Sequence, residues 1–285
     1  MNSLDDMRLL ICTDLDRTLL PNGTQPESQH AREYFSRLCE RREVTLVYVS
    51  GRNRKLVEKA ITCYRLPRPA LVISDVGTKI YDLRDGGWST LHEWEAEIAP
   101  DWKGMSATDL RRLFHDIRGL QLQEREKQNI YKLSYYFSLH QDKASFQEQL
   151  QQRLTQQQLQ ASLTWSVDDP AGIGLLDITP RSATKLHAVE FIRQALGFSL
   201  EDTIYAGDSG NDLPVLISPI QAILVANASA AVRAEVLQEA EKIGTLDRVY
   251  LARGGAFGNG NYSTGIIEGI LHYKPGVQSW LQDRN

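Results

Sequence analysis

Residues 8–18 read RLLICTDLDRT, a short apolar run that ends in two acidic residues two positions apart. Nearly continuous apolar side chains over so few residues are typical of a strand that is covered on both faces of a parallel sheet. In open sheets of that kind, ligands bind outside the carboxyl ends of the strands. Asp14 and Asp16 therefore stand where a functional site is expected, although Asp and Thr residues also suit a plain strand end and turn.

The sequence around this first strand alternates between strand and helix patterns. Strands are predicted at 45–50 and 70–75, and helices at 29–41 and 52–65, with Ala31, Phe35 and Leu38 on one helix face. After residue 182 the alternation resumes, with strands predicted at 203–208, 222–226 and 249–252 and helices at 184–196, 212–218, 228–240 and 263–274. This rhythm predicts an α/β fold built on a doubly wound, Rossmann-like parallel sheet.

A segment with a different order of predicted helices and strands separates the two halves of this pattern. It begins near Asp85-Gly86-Gly87 and contains a predicted helix at 106–118, an alternating strand at 129–139, a Gln-rich helix at 146–160 and two further strands at 162–168 and 174–180. We therefore predict a core domain of residues 1–85 and 179–285, interrupted by an α+β cap domain of residues 86–178.

Composition places the chain among ordinary soluble globular proteins. Of its 285 residues, 42% are hydrophobic and 24% are charged, and the formal net charge is −4. No Lys/Arg-rich run favours nucleic acid or an anionic membrane surface as a partner. The sequence predicts neither a signal peptide nor a membrane span, and three scattered cysteines do not indicate a disulfide framework. We expect a cytoplasmic protein.

Three further clusters resemble parts of a phosphate-handling site. The Ser50-Gly51-Arg52 segment offers a hydroxyl and backbone N–H groups at a helix start, which suit phosphate oxygens, although Ser50 would also serve as a helix N-cap. Lys185 would place an ammonium beside Asp14, although a lone lysine is usually solvated. The run Gly207-Asp-Ser-Gly-Asn-Asp212 follows a strand with oxygen donors that suit Mg²⁺, or with the residues of a capped turn.

A parallel sheet would bring these motifs together at one edge, where they indicate a phosphoryl-transfer reaction. Asp14 would attack a phosphorus atom and become an aspartyl phosphate, and Asp16 would protonate the leaving oxygen and then deprotonate water. A Gly-rich stretch at 254–260 fits neither a Walker nor a dinucleotide fingerprint, and we interpret it as a flexible surface loop rather than a phosphate loop.

The four ordered motifs resemble those of the haloacid dehalogenase superfamily, and the insert resembles that of its α/β-capped branch. Within that branch the chain is similar to the sucrose-phosphatase group. The stretches that carry this similarity are Ser74-Asp-Val-Gly-Thr-Lys-Ile-Tyr81, Tyr131-Lys-Leu-Ser-Tyr-Tyr136, Gly207–Asp212 and Thr264-Gly-Ile-Ile-Glu-Gly-Ile270.

The resemblance implies a role for each matched residue. Asp14 would be the nucleophile and a metal ligand, Asp16 the acid/base group and a ligand through its backbone carbonyl, and Asp208 the third protein ligand of Mg²⁺. Ser50, Gly51 and Lys185 would hold the phosphate, together with Arg52. Asn211 and Asp212 would support Lys185 and the metal shell, with Asp212 counted among the metal residues.

We expect the cap to select the substrate, because the core motifs recognise only a phosphate. Lys132 and Ser134 alternate with Tyr131, Leu133 and Tyr135, so they share one face of a cap strand. We predict that Lys132 and Ser134 contact the sugar, with Thr78 and Lys79 from a core loop. The alternative for Lys132 is a solvated surface charge.

The predicted function is that of a Mg²⁺-dependent sugar-phosphate phosphatase, with sucrose 6-phosphate as the best candidate substrate. Alternatives are mannosyl-3-phosphoglycerate, another disaccharide phosphate or a hexose phosphate, a phosphomutase reaction, and a catalytically silent sugar-phosphate-binding module. We expect a monomer or weak homodimer, with a sugar-phosphate synthase as a possible partner.

Overall fold

The computed structural model describes residues 7–168 and 171–281, which form two compact units. The first unit comprises the described residues up to Ser74, then Tyr81–Ser89, then those from Lys185 onward, and the second comprises Asp75–Ile80 and Thr90–Thr184. The predicted insert covered 86–178. The short segment Asp75–Ile80 also groups with the second unit, and within that unit the Trp94 indole N–H donates to the Gly77 carbonyl at 3.0 Å.

Within these residues the chain forms twelve strands and ten α-helices. The strands are β1 (Leu9–Asp14), β2 (Val44–Val49), β3 (Leu71–Ser74), β4 (Lys79–Asp82), β5 (Ser89–Thr90), β6 (Gln121–Leu122), β7 (Leu133–Phe137), β8 (Ala161–Asp168), β9 (Ile173–Pro180), β10 (Thr203–Gly207), β11 (Gln221–Leu224) and β12 (Val249–Leu251). The helices are α1 (Ala31–Cys39), α2 (Arg54–Tyr64), α3 (His92–Ile98), α4 (Ala107–Leu113), α5 (Lys143–Gln156), α6 (Lys185–Ala195), α7 (Leu213–Leu216), α8 (Ala230–Ile243), α9 (Tyr262–Tyr273) and α10 (Gln278–Leu281).

The central sheet has eight strands in the order β12-β11-β10-β1-β2-β3-β4-β5. From β12 through β3 the neighbouring strands are parallel, as the sequence predicted. Every residue of β1 is buried. Leu9 and Ile11 pack into a cluster with Phe35 and Ile266, and the alternate residues Leu10 and Cys12 are fully buried as well. Both faces of β1 are therefore covered, which explains its continuous apolar sequence.

The helices of the first unit follow the predicted hydrophobic spacing. The buried face of α1 consists of Ala31, Phe35 and Leu38, which confirms the predicted face. The start of α2 differs from the expectation for Ser50, because the side chain of Asn53 caps that helix and accepts the Leu56 N–H at 3.1 Å. Ser50 is thus not required as a helix cap.

The second unit contains a four-stranded antiparallel sheet in the order β6-β7-β9-β8. Helix α4 begins with a capping box between Ser106 and Asp109 and ends at Leu113, five residues before the predicted helix end at 118. Helix α5 buries Phe146, Leu150 and Leu154, so its Gln-rich composition is confined to the solvated side.

Two further features concern the cysteines and the lengths of the helices. Cys12, Cys39 and Cys63 are all free thiols, and Cys12 is buried. Among residues 7–168 and 171–281, no helix combines the length and the apolar composition that a membrane crossing requires.

Candidate active site

The parallel strands bring three of the predicted site segments to one edge of the sheet. Asp14 is the last residue of β1 and pairs with Val49, the last residue of β2, so that Ser50 follows directly beside it. On the other side of β1, β10 ends at Gly207 and Asp208 comes next. The site is therefore assembled from strand ends, as the fold class predicts.

Lys185, the first residue of α6, provides the central cation of the site. Its ammonium donates to Oδ1 of Asp14 at 2.8 Å, to Oδ1 of Asp212 at 2.7 Å and to Oδ1 of Asn211 at 3.2 Å. The residue is only 9% exposed. The alternative of a solvated surface lysine is therefore wrong, and Lys185 joins the first predicted motif to the last.

Asp212 is fully buried and accepts hydrogen bonds on both carboxylate oxygens. Its Oδ1 accepts from Lys185 and from the Tyr205 hydroxyl at 2.6 Å. Its Oδ2 accepts from the Ser209 backbone N–H and hydroxyl, each at 3.2 Å. Asp212 can therefore ligate a cation only by exchanging one of these donors, and in this arrangement it serves to hold Lys185.

The close approach of Asp212 to the sheet depends on Gly207. A Cβ atom at Gly207 would lie 2.7 Å from both Cβ and Cγ of Asp212. Contacts below 3.0 Å are essentially absent between real Cβ atoms and their neighbours, and the neighbouring atoms here are not the tip of a flexible side chain. Any side chain at position 207 would thus displace the carboxylate that holds Lys185.

Three carboxylates converge at this edge and could hold a metal ion. Ligand atoms of Asp14, Asp208 and Asp212 all lie within 4.8 Å of one another, and all three residues are buried. Asp208 accepts a hydrogen bond from the Thr18 hydroxyl at 3.2 Å and lies 3.3 Å from the Arg17 guanidinium. Hard carboxylate oxygens in such a cluster are the donors that Mg²⁺ prefers.

The electrostatics of the cluster indicate an excess of negative charge. Burial raises the pKa of Asp14 above its usual range, and although Lys185 opposes this, Asp212 and Asp208 raise it further. Burial also raises the pKa of Asp208. Burial alone would lower the pKa of Lys185, but Asp14 and Asp212 hold it above its ordinary value. A divalent cation bound here would relieve the repulsion among the carboxylates.

Asp16 lies closer to solvent and is held by two partners. Its side chain is 42% exposed, and the guanidinium of Arg52 donates to both carboxylate oxygens, at 2.6 and 2.7 Å. The amide of Asn22 donates to Oδ1 at 2.7 Å. Although partial burial raises it, these hydrogen bonds bring the pKa of Asp16 below its usual value. Arg52, predicted to bind phosphate, is thus placed on Asp16 in this structure.

Residues 50–52, which follow β2, use some of their hydrogen-bond donors within the chain. The Ser50 N–H already donates to the Ile73 carbonyl at 2.9 Å, and the Ser50 hydroxyl oxygen accepts the Arg52 N–H at 3.2 Å. Gly51 is exposed, and no atom lies within 4 Å of where its Cβ would stand. The Ser50 hydroxyl and the Gly51 N–H are therefore the donors that a phosphate would use.

In the second unit, Lys132 and Ser134 meet at a shared carboxylate. The Lys132 ammonium lies 3.4 Å from Oδ2 of Asp177, and the Ser134 hydroxyl is 2.5 Å from Oδ1 of the same residue. Lys132 is 6% exposed and Ser134 is fully buried. The alternative of a solvated Lys132 is therefore wrong, and both residues share one face of the sheet as predicted.

Thr78 and Lys79, predicted from a core loop, also belong to the second unit. The Thr78 hydroxyl donates to the Asp75 carbonyl at 2.8 Å and accepts from the Asn129 amide at 2.8 Å. Lys79 forms an ion pair with Glu95. Just before them, Val76 adopts a left-handed backbone with φ 62°, which is strained for a β-branched residue.

The Gly-rich stretch is tied down by hydrogen bonds rather than being a free loop. Gly254 donates its N–H to Glu268 at 2.9 Å, Gly255 and Gly258 form a bridge, and the Asn259 N–H donates to the Ser28 hydroxyl at 2.9 Å. These backbone donors are occupied within the chain, which disfavours a phosphate loop.

Four side chains of these two clusters were missed from the sequence: Tyr205, Asn22, Thr18 and Asp177. Tyr205 was interpreted only as part of an apolar strand, although a phenol three residues before Asp208 carries a hydroxyl into the site. Thr18 belongs to the quoted acidic motif and could have been proposed from it. Asn22 lies six residues after Asp16, but its contact depends on the turn that follows β1, which the local pattern does not specify. Asp177 gave no local signal, because its partners Lys132 and Ser134 are more than forty residues away.

Known proteins resemble this chain over most of its length. The sequence model of the family described as sucrose-6F-phosphate phosphohydrolase matches residues 7–274. A haloacid dehalogenase-like hydrolase of Nitrosococcus oceani is 49% identical over 276 residues, which cover 96% of this chain and 74% of that protein. The mannosylfructose-phosphate phosphatase of Agrobacterium fabrum is 24% identical, with 93% of this chain and 96% of that protein covered.

A structural search supports the same assignment of the fold. The sucrose-phosphatase of Synechocystis, solved with sucrose and phosphate, superimposes with a TM-score of 0.69 at 22% identity and covers 94% of this chain and 98% of its own. A haloacid dehalogenase-like hydrolase from Bacillus subtilis gives a TM-score of 0.65 at 19% identity, with 93% and 92% covered. The chain therefore belongs to the sucrose-6F-phosphate phosphohydrolase family of haloacid dehalogenase-like phosphatases.

Proposed function

We propose that this sugar-phosphate phosphatase hydrolyses sucrose 6-phosphate with Mg²⁺ as its metal, through an aspartyl phosphate on Asp14. The observation that carries the proposal is the buried contact between Asp14 and Lys185, at the end of β1 and beside Asp208. A carboxylate in this position is fixed and oriented, and a fixed ammonium beside it stabilises the charge of a transferring phosphoryl group.

The first half of the reaction transfers the phosphoryl group to the enzyme. Lys185 donates to Oδ1 of Asp14, and we assign the attack to Oδ2. The bond from Asp14 to phosphorus forms while the bond from phosphorus to the sugar oxygen breaks, and Asp16 gives a proton to that oxygen. The Ser50 hydroxyl and the Gly51 N–H hold the phosphate oxygens during this step.

The second half regenerates the Asp14 carboxylate and the protonated Asp16. Asp16, now a carboxylate, takes a proton from water as the water attacks phosphorus, and the bond from phosphorus to Asp14 breaks to release inorganic phosphate. One general acid and base thus serves both steps, and the proton that Asp16 gives to the sugar oxygen is replaced by the one that it takes from water.

The ion pair with Arg52 could control when Asp16 becomes protonated. In the free chain Arg52 holds Asp16 as an ionised carboxylate. A substrate phosphate at Ser50 and Gly51 competes for the same guanidinium, and its two negative charges attract Arg52 more strongly than one carboxylate does. Substrate binding would therefore release Asp16 to take up the proton that it must donate.

The metal would be held by the side chains of Asp14 and Asp208 and by the backbone carbonyl of Asp16. Mg²⁺ fits this donor set, since it prefers a few carboxylate or carbonyl oxygens and completes its shell with water. When bound, the ion supplies positive charge that offsets the phosphate oxygens and the convergent carboxylates. Asp212 contributes its charge while it holds Lys185.

The choice of sucrose 6-phosphate rests on the family and on the second unit. The family is described by that activity, and a relative carries the name of another disaccharide-phosphate phosphatase. The cluster of Lys132, Ser134 and Asp177 offers both donors and acceptors that suit sugar hydroxyls. Mannosylfructose phosphate and hexose phosphates are the alternative substrates.

The test is phosphate release from a panel of sugar phosphates by the purified full-length chain. We expect sucrose 6-phosphate to give the highest kcat/KM, no turnover in the presence of a chelator, and recovery with Mg²⁺. The Asp14→Asn variant keeps the shape of the side chain and should fall to background. Turnover by Asp14→Asn at a rate near that of the wild type would mean that water attacks phosphorus directly, and preference for another sugar phosphate would overturn the substrate assignment alone.

A further inference from the structure

Tyr205 places a single polar atom in an otherwise apolar part of the sheet. It lies in the middle of β10, where it pairs with Cys12 of β1 and Ala222 of β11, and it is fully buried. Its hydroxyl donates to Oδ1 of Asp212 at 2.6 Å. A buried hydroxyl must find a partner, and here the partner is a carboxylate of the active site.

The hydrogen bond from Tyr205 orients Oδ1 of Asp212, to which Lys185 also donates. Oδ1 of Asp212 accepts from the Tyr205 hydroxyl and from the Lys185 ammonium, whereas Oδ2 accepts from backbone and side-chain donors of the following turn. With donors on both oxygens, the plane of the carboxylate is set. The position of Oδ1 then sets the position of the ammonium.

The ammonium in turn is shared between two carboxylates. Its distances to Oδ1 of Asp212 and to Oδ1 of Asp14 differ by only 0.1 Å, at 2.7 and 2.8 Å. The Tyr205 hydroxyl also takes up part of the charge of Asp212, and this weakens the attraction of that carboxylate for Lys185. Without the hydroxyl, Oδ1 of Asp212 keeps only Lys185 as a donor and attracts it more strongly, so the ammonium shifts toward Asp212 and away from the nucleophile.

We propose that Tyr205 is a positioning residue for phosphoryl transfer, which acts through Asp212 to keep the Lys185 ammonium on Asp14. The proposal rests on the proposed function of this site. The effect of Tyr205 is transmitted along the chain of hydrogen bonds from phenol to carboxylate to ammonium to nucleophile.

The kinetic test uses the Tyr205→Phe variant, which removes one oxygen atom and keeps the ring. The matched control is Tyr48→Phe, because Tyr48 is also a fully buried strand tyrosine and donates at 2.6 Å, but to the neutral carbonyl of Pro67. We expect kcat of Tyr205→Phe to fall at least about tenfold, which is the lower end of the loss expected for one hydrogen bond to a charged group. KM of Tyr205→Phe should change less than about twofold, since the Lys185 ammonium acts mainly on the transition state. The Tyr48→Phe control should keep the wild-type kcat, because the partner of Tyr48 is a neutral carbonyl.

A second measurement reports on Lys185 without any catalysis. The rate at which an amine-reactive reagent such as acetic anhydride labels Lys185 is followed by mass spectrometry, in the full chain and without substrate. Lys132, 6% exposed and paired with Asp177, serves as an internal reference for general opening of the fold. We expect labelling of Lys185 to rise about fivefold in Tyr205→Phe, with the rate at Lys132 unchanged and both rates unchanged in Tyr48→Phe.

The kinetic and labelling measurements together test whether Tyr205 positions Lys185. A lower kcat with faster labelling of Lys185 alone supports the proposal. Wild-type labelling of Lys185 in Tyr205→Phe overturns it, whatever happens to the rate, and so does wild-type kcat despite faster labelling. Equal changes at Lys132, or equal losses in Tyr48→Phe, would show a merely structural role and overturn it too. If the wild-type chain releases no phosphate from any ester, the proposed function fails and the labelling ratio alone shows whether Tyr205 holds Lys185.

Discussion

Replacing Lys185 by methionine tests whether the buried ammonium compensates the carboxylates around it. The variant keeps a long, unbranched side chain but removes the positive charge. Lys185 is 9% exposed, and its two carboxylate partners lie at 2.7 and 2.8 Å, so the pair is both buried and well formed. Removal of one partner from such a pair leaves an uncompensated buried charge and costs about 3–5 kcal/mol.

That cost translates into a large change in melting temperature. At about 2–4 °C per kcal/mol for chains approaching this size, a loss of about 3 kcal/mol corresponds to a Tm lower by about 6–12 °C. The control is Lys242→Met, since Lys242 is 54% exposed and pairs with Glu239 on the surface of α8. Exposed pairs contribute between 0 and about 1 kcal/mol, so this Tm should hardly move.

The loss of stability in Lys185→Met should also depend on pH. Burial raises the pKa of Asp14 and Lys185 lowers it, so removal of Lys185 raises it further. A raised folded-state pKa contributes stability below the ordinary pKa, and this contribution is lost as the pH rises through the raised value. The deficit of Lys185→Met relative to wild type should therefore be small in acidic buffer and grow toward neutral and alkaline pH.

The assay is thermal unfolding in chelator, at several pH values, for the wild type, Lys185→Met and the double variant with Asp14→Asn. The double variant should recover part of the lost stability, because it removes a buried carboxylate together with its partner. A Tm of Lys185→Met equal to the wild type at every pH, or a double variant less stable than Lys185→Met, would refute the reasoning.

Three further predictions address the metal, the sugar and the strand end. Asp208→Asn should raise the Mg²⁺ concentration needed for half-maximal activity more than tenfold with little change in Tm, and an unchanged Mg²⁺ requirement would remove Asp208 from the metal site. Lys132→Ala should reduce kcat/KM for sucrose 6-phosphate far more than for para-nitrophenyl phosphate, whereas equal losses would place Lys132 in the fold or in the chemistry. Gly207→Ala should destabilise the chain by about 1–3 kcal/mol and lower kcat, because the new Cβ meets Asp212 at 2.7 Å; wild-type kcat would show that the carboxylate can shift without consequence.

The sequence predicted the parallel sheet and its site well because the signals were local and redundant. Apolar strands end directly in polar residues at Asp14, Ser50 and Asp208, and strand ends in a parallel sheet meet at one edge. The contact of Lys185 with Asp14 was expected from a different signal, because Lys185 lies where the pattern of the sheet domain resumes after the insert.

What the sequence did not predict depends on contacts between distant segments. Asp75–Ile80 groups with the second unit, where Gly77 accepts from Trp94 and Thr78 accepts from Asn129, and Asp16 is held by Arg52, 36 residues later. Alternation in the sequence placed Lys132 and Ser134 on one face, but only the pairing of β7 with β9 shows that Asp177 lies opposite Ser134 and within reach of Lys132. Hydrogen-bond partners across strands follow from register, which local patterns do not specify.

The central place of β1 in the sheet has a consequence for how the protein emerges from the ribosome. One edge of β1 is paired with β2, only some thirty residues later, but the other edge must wait for Thr203–Gly207. At about 5–20 residues per second, nearly 190 residues of synthesis leave that edge unpaired for about 10–40 s. The stretch from Thr90 to Thr184 is completed within this interval and forms most of a compact unit. The nascent chain therefore carries a folded insert while its first sheet is still half built, and an exposed β1 edge during this interval is where chaperones and misfolding would act.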